Sequence, residues 1–329
     1  MEFKDFTAGA DDKDRRLDRI LRVFLKEKSL GEIYKLLRKG LIKVNHKKAI
    51  PEYHVNSGDI ISIAAFLFEE NAENKGLHKQ LQNHDKKTNE GQALSIIFEN
   101  EHLLIIDKPY GQSVHGEKDG IHKAVLNYLE SKTGEKQAKS MSFRPGPLHR
   151  LDERTTGLLV FSKSLEGARW FSEGIKNHTI HKKYIGLAQG KLEKQEEWKD
   201  KLSDDEKSHG FYTVKNDEEK GALAETIARP LAYGNYKGQP VTLVEYQIKT
   251  GRKHQIRCQS ALHKHPLLGD KAYGGRRLDD AAGMEFVLRA VELVFPEDNP
   301  LGLPDKIKSG LTAQIIDILQ CCEIENPGL

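Results

Sequence analysis

From residue 94 onward, apolar runs of strand length recur with few helical patterns between them, and this narrows the possible folds more than any other feature. Residues 94–98 and 103–106, separated by Glu99-Asn100-Glu101-His102, read as a hairpin. Further strand patterns fall at 158–161, 182–188, 223–229, 241–248 and 286–295, and helical ones at 165–177, 252–263 and 311–322. Many strands with so few helices predict an α+β domain with a mostly antiparallel, mixed sheet, not a doubly wound parallel one. The polar stretch 193–221 reads as an exposed excursion from that sheet.

The first 68 residues follow a different logic. Leu17, Ile20, Leu21, Phe24 and Leu25 form one apolar helical stripe. Ser29 and Glu32 have the spacing of a capping box, so a second helix starts there, and Gly40 is placed to end it. Residues 41–44 and 60–63 then read as short strands, with Asn45-His46 as a turn. Residues 14–58 hold 12 Lys/Arg against 5 Asp/Glu, a local charge of +7, which leaves −4 for the rest of a chain whose total is +3. A small basic module joined to a mildly acidic body points to a polyanionic partner at one end. Two helices and small strands in this order, with Tyr34-Lys35-Leu36-Leu37-Arg38-Lys39-Gly40 and Gly58-Asp59 before the last strand, resemble the αL RNA-binding fold of a small-subunit ribosomal protein. Arg15, Arg16, Arg38, Lys39 and Lys43 are its candidate RNA contacts. The expected organisation is an α/β RNA-binding domain at 1–68, a polar linker at 69–92 and the larger domain at 93–329.

In the larger domain, His149-Arg150-Leu151-Asp152 precedes the strand pattern 158–161, with Thr155-Thr156-Gly157 making the turn. An acidic residue at a strand entrance either caps a turn or projects into a cleft, and these residues alone leave both readings open.

The run from Pro147 to Phe161 resembles the signature of the RluA family of pseudouridine synthases, with Thr156 where the family usually has Ser. Ile106-Asp107-Lys108-Pro109-Tyr110-Gly111, Lys183-Tyr184-Ile185-Gly186-Leu187, Thr250-Gly251-Arg252-Lys253-His254-Gln255-Ile256-Arg257 and Gly269-Asp270-Lys271-Ala272-Tyr273-Gly274 are similar to other blocks of that family, in the same order. The resemblance implies an antiparallel mixed-sheet catalytic domain that isomerises uridine in structured RNA. It implies Asp152 as the catalytic nucleophile, Tyr184 as the aromatic that stacks the base, Arg257 as the cation that holds Asp152 ionised, and Arg150 as the wedge that replaces the flipped nucleotide. On a helix from residue 252, His254 and Arg257 would share a face toward the cleft. Whether Asp152 attacks the sugar, attacks the base or takes a ribose proton is left open. Ribosomal RNA of the large subunit is the favoured substrate, with transfer RNA as the alternative. A non-catalytic RNA-binding or ribosome-assembly protein of the same fold is the competing reading.

The reaction implied needs no cofactor and no metal. His178 with His181, and His263 with His265, lack acidic or thiol companions at metal spacing. No apolar run approaches the roughly 18 residues of a membrane span, and the N-terminus has no apolar core of a secretory signal. Three cysteines, Cys258, Cys321 and Cys322, form no disulfide framework and fit a reducing cytoplasm. Without a heptad pattern, a monomer is the expected state.

Overall fold

The computed structural model describes all residues except 69–93, 116–119, 134–139, 209–210, 280–282, 326–327 and 329, so the expected linker lies outside the described residues. The chain forms two compact units. One contains residues 1–93, 126–145 and 164–166, and the other contains 94–125, 146–163 and 167–329.

In the first unit, helices α1 (Leu17–Phe24) and α2 (Leu30–Lys39) pack on a sheet of β1 (Phe3–Thr7), β4 (Ile60–Ala64), β2 (Ile42–Val44) and β3 (Lys47–Lys48), in that spatial order. The apolar stripe is buried, with Leu17, Ile20 and Leu21 fully covered. Ser29 and Glu32 form the reciprocal capping box, and Gly40 ends α2 in the left-handed conformation. Asn45 and His46, both with positive φ, turn β2 into β3. Strand β1, antiparallel to β4, carries only two inward residues and was not legible as a strand.

Besides residues 1–93, the first unit includes two later segments, and two aspartates near the N-terminus bond to them. Buried Asp12 accepts hydrogen bonds from the Ser140 hydroxyl and the amides of Met141 and Ser142. Asp11 accepts one from the amide of Leu165.

The second unit is built on one sheet, ordered β11 (Phe211–Asn216), β10 (Glu196–Ser208), β12 (Ala222–Tyr236), β13 (Gln239–Ile248), β9 (His181–Gln189), β14 (Leu288–Val294), β8 (Thr156–Ser162), β6 (Leu103–Lys108), β5 (Ile96–Glu99). β15 (Lys306–Lys308) pairs with β14, and β7 (Gly146–Pro147) with β8. The pairings are antiparallel except β14 with β8, so the sheet is mixed and mostly antiparallel. The stretch 193–221, read as an excursion, instead extends the sheet through the β10–β11 hairpin. Burial alternates along residues 196–202, but the inward positions include Glu196 and Asp200 beside Trp198 and Leu202, so the apolar half of the period-2 pattern is incomplete in the sequence. Helix α3 (Ile121–Thr133) was not anticipated, while α4 (Leu165–Lys176), α5 (Gln255–Leu262) and α6 (Ala313–Cys321) fall where helical patterns were read.

Two buried features tie the centre of this sheet. The Arg289 guanidinium on β14 reaches past β8 to Asp107 on β6, donating to both carboxylate oxygens at 3.0 and 2.6 Å. Gly157 on β8 has φ +103°, and a Cβ there would stand 2.1 Å from the carbonyl oxygen of Ala290. Only glycine lets β8 lie against β14 in parallel register. Gly157→Ala should therefore cost roughly 3 kcal/mol or more, from strain and clash together. Urea denaturation would measure it, and a wild-type midpoint for this variant would contradict the account.

Candidate active site

The loop between β7 and β8 carries Asp152, and the first motif of the larger unit holds that loop in place. Lys108, fully buried at the end of β6, donates to the carbonyl oxygens of Pro109 and Glu153, each at 2.9 Å. The amide of Gly111 donates to the same Glu153 carbonyl at 3.0 Å. Within the loop, the amide of Thr155 donates to the carbonyl of Asp152 at 3.0 Å, closing the turn. His149 pins the other side, its Nε2 accepting from the amide of Val160 at 3.2 Å while the ring stacks on Phe171. Burial lowers the His149 imidazole to about 3, so it stays neutral. The motif 106–111 thus acts as scaffold for the acidic loop.

Asp152 faces a cavity of about 310 Å³ lined by loop 148–155, by Lys182 and Tyr184 of β9, and by 251–257. Arg150, Lys182, Arg252, Lys253 and Arg257 line it, and Asp152 is the only carboxylate among the described lining residues. Arg257 Nη1 and His254 Nε2 each stand 3.9 Å from an Asp152 carboxylate oxygen. Burial raises the Asp152 carboxyl above its ordinary value, against the opposing pull of Arg257, Arg150, Lys108 and Lys253. The sequence reading had the neighbouring cation dominate. The structure gives the larger share to burial, because the side chain is only 16% exposed.

Arg257 also differs from expectation in where its bonds go. Its Nε and Nη2 form a two-pronged pair with Asp270, at 2.7 and 2.8 Å, and both partners are buried. The guanidinium lies between the rings of Tyr273 and Phe286, 5.1 and 4.7 Å from their centroids. Only Nη1 is turned to Asp152. The helix itself starts at Gln255, not at 252. Gln255 Oε1 accepts from the Thr250 hydroxyl and the Arg252 amide, folding 250–254 into a turn with His254 in the left-handed region. His254 and Arg257 therefore reach Asp152 from a turn and a helix, not from one helical face.

Tyr273 completes a second layer that sequence reasoning left without a role. Its hydroxyl accepts from the amide of Val214 and lies 2.9 Å from His254 Nδ1. Burial lowers the His254 ring to about 3 and raises the Tyr273 hydroxyl, so both are neutral. A hydroxyl that donates to Nδ1 leaves the ring proton on Nε2, facing Asp152. The block Gly269-Asp270-Lys271-Ala272-Tyr273 thus supplies one support for Arg257 and one for His254. The signal was present as a motif, but its partners are remote in sequence.

Tyr184 is buried on β9, and the charge of Asp152 is among the causes that raise its hydroxyl, after burial. Arg150 is exposed on the acidic loop. In the first unit, Arg38 and Lys39 are exposed at the end of α2. Three other candidates have internal partners. Arg16 is paired with Asp18 at 2.7 Å, Arg15 donates to the Ser142 hydroxyl at 2.6 Å, and Lys43 sits 4.4 Å over the Phe3 ring. His263 stands 3.1 Å from Asp200 and stacks on Trp198.

A buried carboxylate among cations and beside an aromatic ring, in a chain with a basic module, fits an enzyme acting on a polyanion. Comparison with known proteins gives the class its name. The family described as RNA pseudouridylate synthase matches residues 102–262, and the S4 domain matches 15–61. Ribosomal large subunit pseudouridine synthase C of Vibrio vulnificus is 30% identical over 272 residues, covering 80% of this chain and 78% of that protein. The protein of the same name from Escherichia coli K12 is 30% identical over 279 residues, covering 82% and 79%. Human RNA pseudouridylate synthase domain containing 4 shares the fold at TM-score 0.55 and 22% identity, over 78% of this chain and 98% of that one. The chain belongs to the RluA-type pseudouridine synthases with an N-terminal S4 domain, and it is an RNA isomerase that binds RNA through that domain.

The electrostatics make a stability prediction. A carboxyl whose folded pKa is raised binds its proton more tightly in the native state, so ionisation destabilises the fold at neutral pH. Asp152→Asn should melt at a higher temperature than wild type at pH 7. The difference should shrink as pH falls through the raised folded value toward the ordinary 3.8. Thermal melts across that range check it, and an asparagine variant less stable at pH 7 would contradict the stated balance.

Proposed function

We propose that this enzyme converts specific uridines of large-subunit ribosomal RNA to pseudouridine, with Asp152 as the nucleophile. The observation that carries the residue assignment is the position of Asp152, buried in a cation-lined cavity within 3.9 Å of both Arg257 and His254. The substrate assignment draws support from relatives named for the large ribosomal subunit, which align over about four-fifths of their length.

The isomerisation breaks the bond from ribose C1′ to N1 of uracil and rejoins the base through C5, with the C5 hydrogen lost to solvent and N1 protonated. Asp152 provides the carboxylate that divides this into two easier steps. Arg257 holds that carboxylate in place and favours its ionised form, against burial. Tyr184 offers the uracil a buried aromatic face, worth about 1–3 kcal/mol per stacked base. Arg150, exposed on the same loop, fills the space left by the extruded nucleotide. On this reading the enzyme needs no cofactor or metal, acts as a monomer and works in the cytoplasm.

Asp152→Asn should fold and bind ribosomal RNA as wild type does, yet release no tritium from [5-³H]uridine-labelled transcript. Tritium release above background would end the assignment of Asp152, and release from transfer RNA alone would move the substrate. On the S4 domain, Arg38 and Lys39 are the candidates left exposed. Replacing both with Ala should reduce the slope of log affinity against log salt by about 1.4–1.8, at about 0.7–0.9 per phosphate contact. An unchanged slope would move the phosphate contacts elsewhere.

A further inference from the structure

Lys182 has no part in the roles assigned so far, and its surroundings are unusual for a lysine. It is only 7% exposed, yet among the described residues its ammonium makes no ion pair and no hydrogen bond. Buried lysines are rare because an ammonium taken from water without a partner costs free energy. The other buried cations of this unit are satisfied: Lys108 by two carbonyls, Arg257 by Asp270, Arg289 by Asp107. Lys182 alone among them lines the cavity with no anion of its own.

Its location is fixed by two observations. Lys182 and Tyr184 are two apart on β9, so their side chains leave the same face of the sheet, roughly 6–7 Å from each other. Its Nζ lies over the backbone of Gly251, 3.7 Å from where a Cβ would stand, at the turn that brings His254 to Asp152. The Asp152 charge acts on Lys108, Tyr184 and Arg257, whereas burial alone lowers Lys182, to about 8. The ammonium therefore shares a sheet face with the Tyr184 ring, in the cavity that Asp152 also lines, and it remains charged at neutral pH.

We propose that Lys182 is the anchor for a backbone phosphate of the target nucleotide, binding it as the uridine enters the cavity that holds Asp152 and Tyr184. This rests on the reading that the cavity receives the target nucleotide. A phosphate fits better than a uracil carbonyl because an unpaired buried cation gains most from a formal counter-charge. Arg252 and Lys253, which line the same cavity, would add to the field but have partners in Leu223 and Asp204. The anchor also accounts for keeping a costly cation where methionine would pack without penalty.

The test uses the full-length enzyme and tritium release from [5-³H]uridine-labelled ribosomal RNA transcript, with Lys182→Met, Lys182→Gln and Lys182→Arg. Lys182→Met should melt no lower than wild type, raise KM by about 10- to 100-fold, as expected for a lost charge-assisted contact, and leave kcat within a few-fold. The slope of log kcat/KM against log salt should fall by about 0.7–0.9, and Lys182→Arg should restore both KM and slope. An unchanged KM, or a fall in kcat with the salt slope intact, would overturn the anchor, the latter pointing to a uracil carbonyl or a structural role. Should the methionine variant fail to fold, the same comparison runs between Lys182→Gln and Lys182→Arg. An active Asp152→Asn would remove the cavity reading itself, whereas an inactive one beside an unaffected Lys182→Met would remove only the anchor.

Discussion

The buried pair of Arg257 and Asp270 is the interaction on which the site depends. A guanidinium beside a carboxylate usually forms a two-pronged contact with it. Had Arg257 made that contact with Asp152, the carboxylate lone pairs would be occupied. Asp270 takes that geometry instead, at 2.7 and 2.8 Å, and leaves Asp152 with a cation at 3.9 Å. The arrangement separates holding the charge from using it. Its cost is a fully desolvated ion pair, stable only while both partners remain.

The same division recurs around the loop. Lys108 and His149 are motif residues without any part in the chemistry proposed. They spend their polar groups on backbone atoms of the acidic loop and of β8, so that Asp152 is positioned by neighbours whose own rotamers are fixed by burial. Tyr273 does for His254 what Asp270 does for Arg257. Two residues of one short motif thus orient the two groups closest to Asp152.

Much of this was legible in the sequence where local patterns decide structure. The stripe from Leu17 to Leu25, the Ser29–Glu32 box and Gly40 each read correctly because helix caps and periodicity are short-range. The strands of the larger unit read correctly where both faces are buried. Signals failed where the cause was remote. The helix at 252 begins three residues late because Gln255 closes a turn on Thr250 and Arg252, and the polar hairpin 196–216 lacked a complete apolar alternation. Asp270 and Tyr273 were visible only as letters in a motif and Lys182 only as the first residue of a strand pattern, since burial and missing partners are properties of the folded chain. The net rise of the Asp152 carboxyl was likewise invisible, because burial, not the adjacent cation, sets its sign.

The support given to the acidic loop by Lys108 and Gly111 passes through the carbonyl oxygen of Glu153, whose side chain points into solvent. A carbonyl is the same whatever side chain its residue bears. A change of side chain at position 153 should therefore disturb the loop less than one at position 108, 45 residues away, even though 153 adjoins Asp152. Distance along the chain from Asp152 is thus a poor guide to constraint in this enzyme. The lysine that braces the loop has less latitude than the glutamate that belongs to it.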